Sequence, residues 1–110
     1  MGIFGGAKHK EVTATQLSAM VDAGEVLVVD VREADEFADG HIPGAVNLPL
    51  SRFSAEQLPD PAGRTLILNC LGGGRSGKAL DQCKAAQAAV DTHLAGGFGA
   101  WAKAGLPVEK

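Results

Sequence analysis

The stretch Cys70-Leu71-Gly72-Gly73-Gly74-Arg75-Ser76 follows directly on the apolar run at 65–69. A cysteine at the end of a strand, followed by glycines, can sit where backbone N–H groups converge, and a helix starting just beyond adds unpaired donors and a positive dipole end. Such donors favour the thiolate over the thiol, and Arg75 and Lys78 add positive charge nearby. Cys70 is therefore a candidate nucleophile, with residues 71–76 as its anion cradle. The plainer alternative is a small buried residue that closes a strand. Three successive glycines and an arginine favour the cradle, since a structural strand-to-helix turn seldom needs so many.

The elements that must position this loop alternate along the chain. Thr13 and Gln16 have the spacing of a capping box, followed by Leu17, Met20 and Val21 at helical intervals and by Gly24 as a stop. Residues 26–31 form a continuous, largely β-branched run that suits a strand covered on both faces. A short helix over 33–38 ends at Gly40, His41-Ile42-Pro43-Gly44 makes a turn, and 45–48 is extended. Ser54 and Gln57 offer a second capping box. A strand over 65–69 is then followed by a helix over 76–89 with an apolar stripe of Ala79, Cys83, Ala86 and Val90. Residues 91–94 are extended, Gly96-Gly97 breaks them, and a final helix covers 98–103. Strands and helices alternating at these intervals predict an α/β domain with a mostly parallel sheet and helices on both faces. Sites in such sheets form at the carboxyl ends of strands, where Cys70 lies.

Composition narrows the partners. A chain of 110 residues with 45% hydrophobic content supports one domain with one core. The net charge of −3, the lack of Tyr and the single Trp argue against a nucleic-acid surface. No apolar run approaches the ~20 residues that span a bilayer, and residues 1–11 lack the apolar core of a secretory signal. The expectation is a loose tail over 1–11, a domain over 12–110, a cytoplasmic location and no membrane partner. Cys70 and Cys83 are expected as thiols: on a helix starting near Arg75, Cys83 lies about 12 Å along the axis, beyond the ~7 Å of bridged Cα atoms.

Three stretches together resemble the single-domain rhodanese family of sulfurtransferases: CLGGGRS, the segment DVREADEFADGHIPGAVNLP over 30–49, and HLAGGFGAW over 93–101. The resemblance runs over about 12–108. It implies a five-stranded, mainly parallel sheet with helices on both faces. It also implies that Cys70 takes a sulfane sulfur from a small donor (thiosulfate, a persulfide or a polysulfide), holds it as a persulfide, and passes it to cyanide or a thiol, including a thiol-carrying protein. No metal or organic cofactor is needed. Cysteine phosphatases place five residues between their Cys and Arg, whereas four separate Cys70 from Arg75; the shorter loop suits one sulfur better than a tetrahedral oxyanion. A phosphatase or arsenate reductase, and a non-catalytic recognition module of the same fold, stand as the other readings.

The remaining candidates each have two readings. Asp30 and Arg32 match the family's Asp-Val-Arg segment and either reach the cleft or form an ion pair that fixes the loop. Arg75 either binds an anionic donor or anchors the loop. His41 matches a turn residue of the family more closely than a base beside the cysteine, and Cys83, in an apolar stripe, reads as core before it reads as a resolving thiol. The chain has neither a CxxC nor an HxxxH pattern to suggest a metal site. Gly96 and Gly97 permit a tight turn, and Trp101 reads as core.

Overall fold

Val26–Asp30 is buried at all five positions, and the sheet is built around it. The computed structural model describes residues 9–110, in which five strands alternate with four helices. These are β1 (Lys10–Val12), α1 (Ala14–Asp22), β2 (Val26–Asp30), α2 (Ala34–Asp39), β3 (Val46–Asn47), β4 (Thr65–Asn69), α3 (Gly74–Ala85), β5 (Thr92–Leu94) and α4 (Gly97–Lys103). Single 3-10 turns occur at Leu50–Arg52 and Ala55–Gln57. The sheet order is β1-β5-β4-β2-β3, and every pairing is parallel.

Alternation along β2 and β4 sends side chains to two cores. Leu27, Val29, Leu66, Leu68 and Cys70 pack with Ala79, Leu80 and Cys83 of α3. Val26, Val28 and Ile67 pack on the opposite face with Leu17 of α1 and Trp101 of α4. Helices thus cover both faces, as a parallel sheet requires. The chain runs outward in opposite directions from the β2/β4 pair, so the carboxyl ends of these two strands flank the crevice where the topology switches. Cys70 follows β4 there, and Asp30 ends β2.

Several boundaries depart from expectation. Lys10 and Glu11, assigned by sequence to a tail, belong to β1 and pair with Thr92 and His93; residues 1–8 of that tail lie outside the described residues. The Thr13–Gln16 capping box forms, with Gln16 N–H donating to Thr13 Oγ1 at 3.1 Å and Thr13 N–H donating to Gln16 Oε1 at 2.9 Å. The expected second box does not: Ser54 makes no side-chain cap, because Leu58, preceding Pro59, is held at ψ 138 and stops the element after one turn. A reciprocal contact occurs instead at α2, where Glu33 N–H donates to Glu36 Oε1 at 3.0 Å.

The helix expected over 76–89 begins two residues earlier and ends four earlier. Gly73, at φ +110, starts it inside the glycine run, and Gln87, at φ +59, reverses the chain beyond its end. Ala86 is consequently exposed and Val90 lies outside the helix, while Leu80 joins Ala79 and Cys83 on the buried stripe. Among the described residues no helix is long and apolar enough to cross a membrane.

Candidate functional site: a sulfur held at the end of β4

Only Leu71, Gly72 and Gly73 separate Cys70 from α3. Of the three glycines, only Gly73 occupies a backbone region closed to other residues. Gly72 and Gly74 have ordinary φ, and a Cβ on either would meet nothing within 4 Å. They leave the loop bare instead of permitting its bend, and Leu71 is exposed.

The loop turns its amides inward because its carbonyls are held from behind. Phe98 N–H, in the first turn of α4, donates to Cys70 O at 2.6 Å, and Gly99 N–H donates to Leu71 O at 3.0 Å. This approach explains Gly97, whose Cβ would overlap both carbonyl oxygens. The paired glycines at 96 and 97 are therefore a docking requirement of the loop as well as a turn.

Sγ of Cys70 is 1% exposed as a residue and receives Gly73 N–H at 3.0 Å. It lies 3.4 Å from Ser76 Oγ. Burial pushes the Cys70 thiol up, but the Ser76 hydroxyl and the amides of Ser76, Gly73 and Gly72 together outweigh it and hold the thiol below its ordinary range. Cys83 has no such partners, and burial alone pushes its thiol up. Both cysteines are free thiols.

The charged candidates are occupied. Asp30 is fully buried and takes Arg32 Nη2 at 2.8 Å, Arg32 Nε at 3.1 Å and Arg32 backbone N–H at 2.9 Å. Arg32 also donates to Gly40 O at 2.7 Å and lies 4.4 Å over the Phe98 ring, so the pair ties β2 to the chain after α2 and to α4. Arg75 reaches across to α2, donating to both carboxylate oxygens of Glu36 at 2.6 and 3.0 Å. That guanidinium draws the Glu36 carboxyl down to about 2. His41 stacks on Phe37 at 3.8 Å, and its Nδ1 lies 2.8 Å from Phe37 O. Among the described residues no group of three or more His, Cys, Asp or Glu side chains is placed to hold a metal ion.

Two contributors escaped the sequence reading. Glu36 sits 39 positions from Arg75. His93, on β5, places Nδ1 2.7 Å from Ser76 Oγ, on a hydroxyl that also meets the sulfur. The short segment Asp91-Thr92-His93-Leu94 is polar at three of its four positions, so nothing local singles His93 out.

Comparison with known proteins places this arrangement. The model of the rhodanese-like domain matches residues 13–104. An uncharacterized protein of Synechocystis is 48% identical over 85 residues, covering 77% of this chain and 48% of its own length. A sulfurtransferase of Allochromatium vinosum is 33% identical over 99 residues, covering 89% of this chain and 92% of its own. The crystal structure of a rhodanese-related protein from Thermoplasma volcanium superposes with a TM-score of 0.78 at 25% identity, over 92% of this chain and 98% of that one. The chain thus spans about half the length of the Synechocystis relative and nearly all of the Allochromatium one. Since the match extends from the capped start of α1 through the cysteine loop to the helix that clamps it, the chain belongs to the rhodanese-like domain family.

Proposed function

We propose that this protein is a sulfurtransferase that carries a sulfane sulfur as a persulfide on Cys70. The observation that supports this most directly is the surroundings of Sγ: a buried sulfur facing an amide donor and a hydroxyl, with no charged side chain from residues 71–74. Donors aimed at one point stabilise a single anionic sulfur, first the thiolate and then the persulfide terminus. With thiosulfate, Sγ attacks the outer sulfur, the donor's S–S bond breaks, and sulfite leaves with the electron pair. An acceptor thiolate or cyanide then attacks the outer sulfur of the persulfide, and Cys70 thiolate departs. A persulfide or polysulfide donor reacts in the same way with a thiolate leaving group.

The name of the Allochromatium relative, a sulfurtransferase, supports the same reading. Two buried thiols suit a reducing cytoplasmic compartment. The four-residue interval between Cys70 and Arg75, and the engagement of Arg75 by Glu36, weigh against a loop that grips a phosphate with its arginine. The test is intact mass after mixing with thiosulfate or polysulfide. The native chain and Cys83→Ser gain one sulfur atom that cyanide removes, and Cys70→Ser gains none. Absence of the gain in the native chain, or its retention in Cys70→Ser, overturns the proposal.

A further inference from the structure

Cys70 is only 1% exposed, so little water is at hand to take the proton of its thiol. Behind the sulfur, hydrogen-bonded polar groups reach His93, and a carboxylate stands beyond it. Ser76 Oγ, fully buried, lies 3.4 Å from Cys70 Sγ, 3.2 Å from Gly73 O and 2.7 Å from His93 Nδ1. On the far side of the imidazole, Nε2 is 3.6 Å from Glu11 Oε2, whose side chain is 44% exposed. Sulfur, hydroxyl, imidazole and carboxylate thus lead from the core to the surface across α3, β5 and β1.

The hydroxyl has one proton and two acceptors to choose from. Its distance to His93 is the shorter, which places the proton on the serine–histidine line. The tautomer follows from Glu11: a carboxylate beside Nε2 favours the proton on that nitrogen and leaves Nδ1 as an acceptor. The other titratable groups around His93 are His9, whose ring meets it edge to face at 6.0 Å, Asp81 of α3, bonded to His9 at 2.9 Å, and Lys78 of α3, which lines the same groove.

We propose that His93 is a positioning residue which, through Ser76, accepts the proton that Cys70 sheds. The Cys70 S–H bond breaks and its proton passes to Ser76 Oγ, while the original Ser76 hydroxyl proton passes to His93 Nδ1. The products are a thiolate facing the new Ser76 hydroxyl proton and an imidazolium with Glu11 beside its Nε2–H. Burial, with His9 adding to it against the opposing pull of Glu11, holds His93 below the ordinary imidazole range, so at neutral pH the ring is neutral; it is the thiolate formed beside it that favours its charged form. The role rests on Cys70 being the nucleophile proposed above, but it is read in the thiol's own titration.

The experiment measures the rate of Cys70 alkylation by iodoacetamide against pH in the Cys83→Ser background, for the parent, His93→Gln, Ser76→Ala and the double variant. Glutamine keeps a hydrogen-bonding group beside Ser76 but cannot take a proton. His93→Gln is expected to raise the midpoint by about one unit, an approximately tenfold loss of thiolate near neutral pH. Ser76→Ala raises it at least as far, and the double variant goes no further than the larger single change, because both cut one line. Nitrogen NMR of His93 in the unsubstituted chain is the second readout: the imidazolium persists to higher pH when a Cys70 thiolate can form beside it, and Cys70→Ser moves the His93 midpoint down. An unchanged Cys70 midpoint in folded His93→Gln, or a His93 midpoint that Cys70→Ser leaves unmoved, overturns the relay. Should His93→Gln not fold, the NMR result decides. A chain that accepts no sulfur yet shows the coupled titration rejects the sulfurtransferase reading and keeps the relay.

Discussion

Replacing Gly97 with alanine would drive a methyl group into the back of the cysteine loop. The residue sits at φ +58, and its Cβ would overlap the carbonyl oxygens of Cys70 and Leu71. Both obstacles are backbone, so no side chain can turn aside. The left-handed conformation costs about 1–2 kcal/mol in a residue bearing a Cβ. Relief of the overlap needs α4 and the loop to separate, which loosens the bonds from Phe98 and Gly99 at about 1 kcal/mol each. The expected loss is therefore about 3–4 kcal/mol, a fall in Tm of at least ~12 °C for a domain of this size. Gly24→Ala is the control: it has φ +71 but nothing within 4 Å of a Cβ, so it isolates the conformational part. Its expected fall is only about 5 °C. Thermal unfolding by circular dichroism gives both values, and alkylation against pH reports on the loop. Gly97→Ala should also move the Cys70 midpoint up towards the ~8.5 of a free thiol, which Gly24→Ala should not. Equal melting of the two variants with an unchanged Cys70 midpoint would refute the claim that α4 holds the loop through its carbonyls.

Other expectations follow from the same geometry. Asp30→Asn leaves the Arg32 guanidinium buried without its counter-charge and should destabilise the fold by about 3–5 kcal/mol in urea titration, whereas a loss below 1 kcal/mol would mean the pair is dispensable. The carboxyl of Glu36 is drawn from 4.5 to about 2, first by its bond to Arg75, so its contribution to stability is complete above about pH 4.5 and is lost as pH falls towards 2. With both side chains about a third exposed, solvent screening leaves roughly 1 kcal/mol, which Glu36→Gln should remove at pH 6 but not at pH 2. Persulfide or polysulfide donors should give a higher kcat/KM than thiosulfate, because Arg32 and Arg75 are both engaged and a doubly charged donor is left with backbone amides and Lys78 at the rim. Glu36→Gln should lower the KM for thiosulfate by releasing Arg75; an unchanged value would place Arg75 outside the donor's reach.

What could be read from sequence was local. The cap of α1 is written within four residues, and the strand before Cys70 within five, so short-range pattern sufficed for both. Lys10 and Glu11 were missed because a three-residue edge strand with two exposed polar positions has no hydrophobic period, and its pairing with β5 is a property of the fold. The end of α3 was overestimated because Gln87 adopts a left-handed conformation that glycine or asparagine would have signalled. Ser76 and His93 are 17 positions apart, and Arg75 and Glu36 are 39 apart; they meet only once the sheet order is set. The sequence reading of Arg75 left open whether it grips substrate or anchors the loop, and in the structure its partner is Glu36.

The loop that is fastened by its carbonyls is free at its side chains. Against the effect of burial, main-chain amides and Ser76 hold the sulfur's pKa down, whereas in the proposed reaction the face an incoming donor meets is Leu71 and the empty flanks of Gly72 and Gly74. Neither of those glycines has a positive φ or a neighbour within 4 Å of a Cβ, so both positions can acquire a side chain without rebuilding the turn. Preference for one donor over another can therefore drift, or be engineered, independently of the chemistry performed on it: a lysine at 72 supplies a cation for an oxyanion, and an aromatic ring at 74 supplies an apolar wall. In the proposed reaction, reactivity is encoded in the backbone of this loop and selectivity in side chains it has left unwritten.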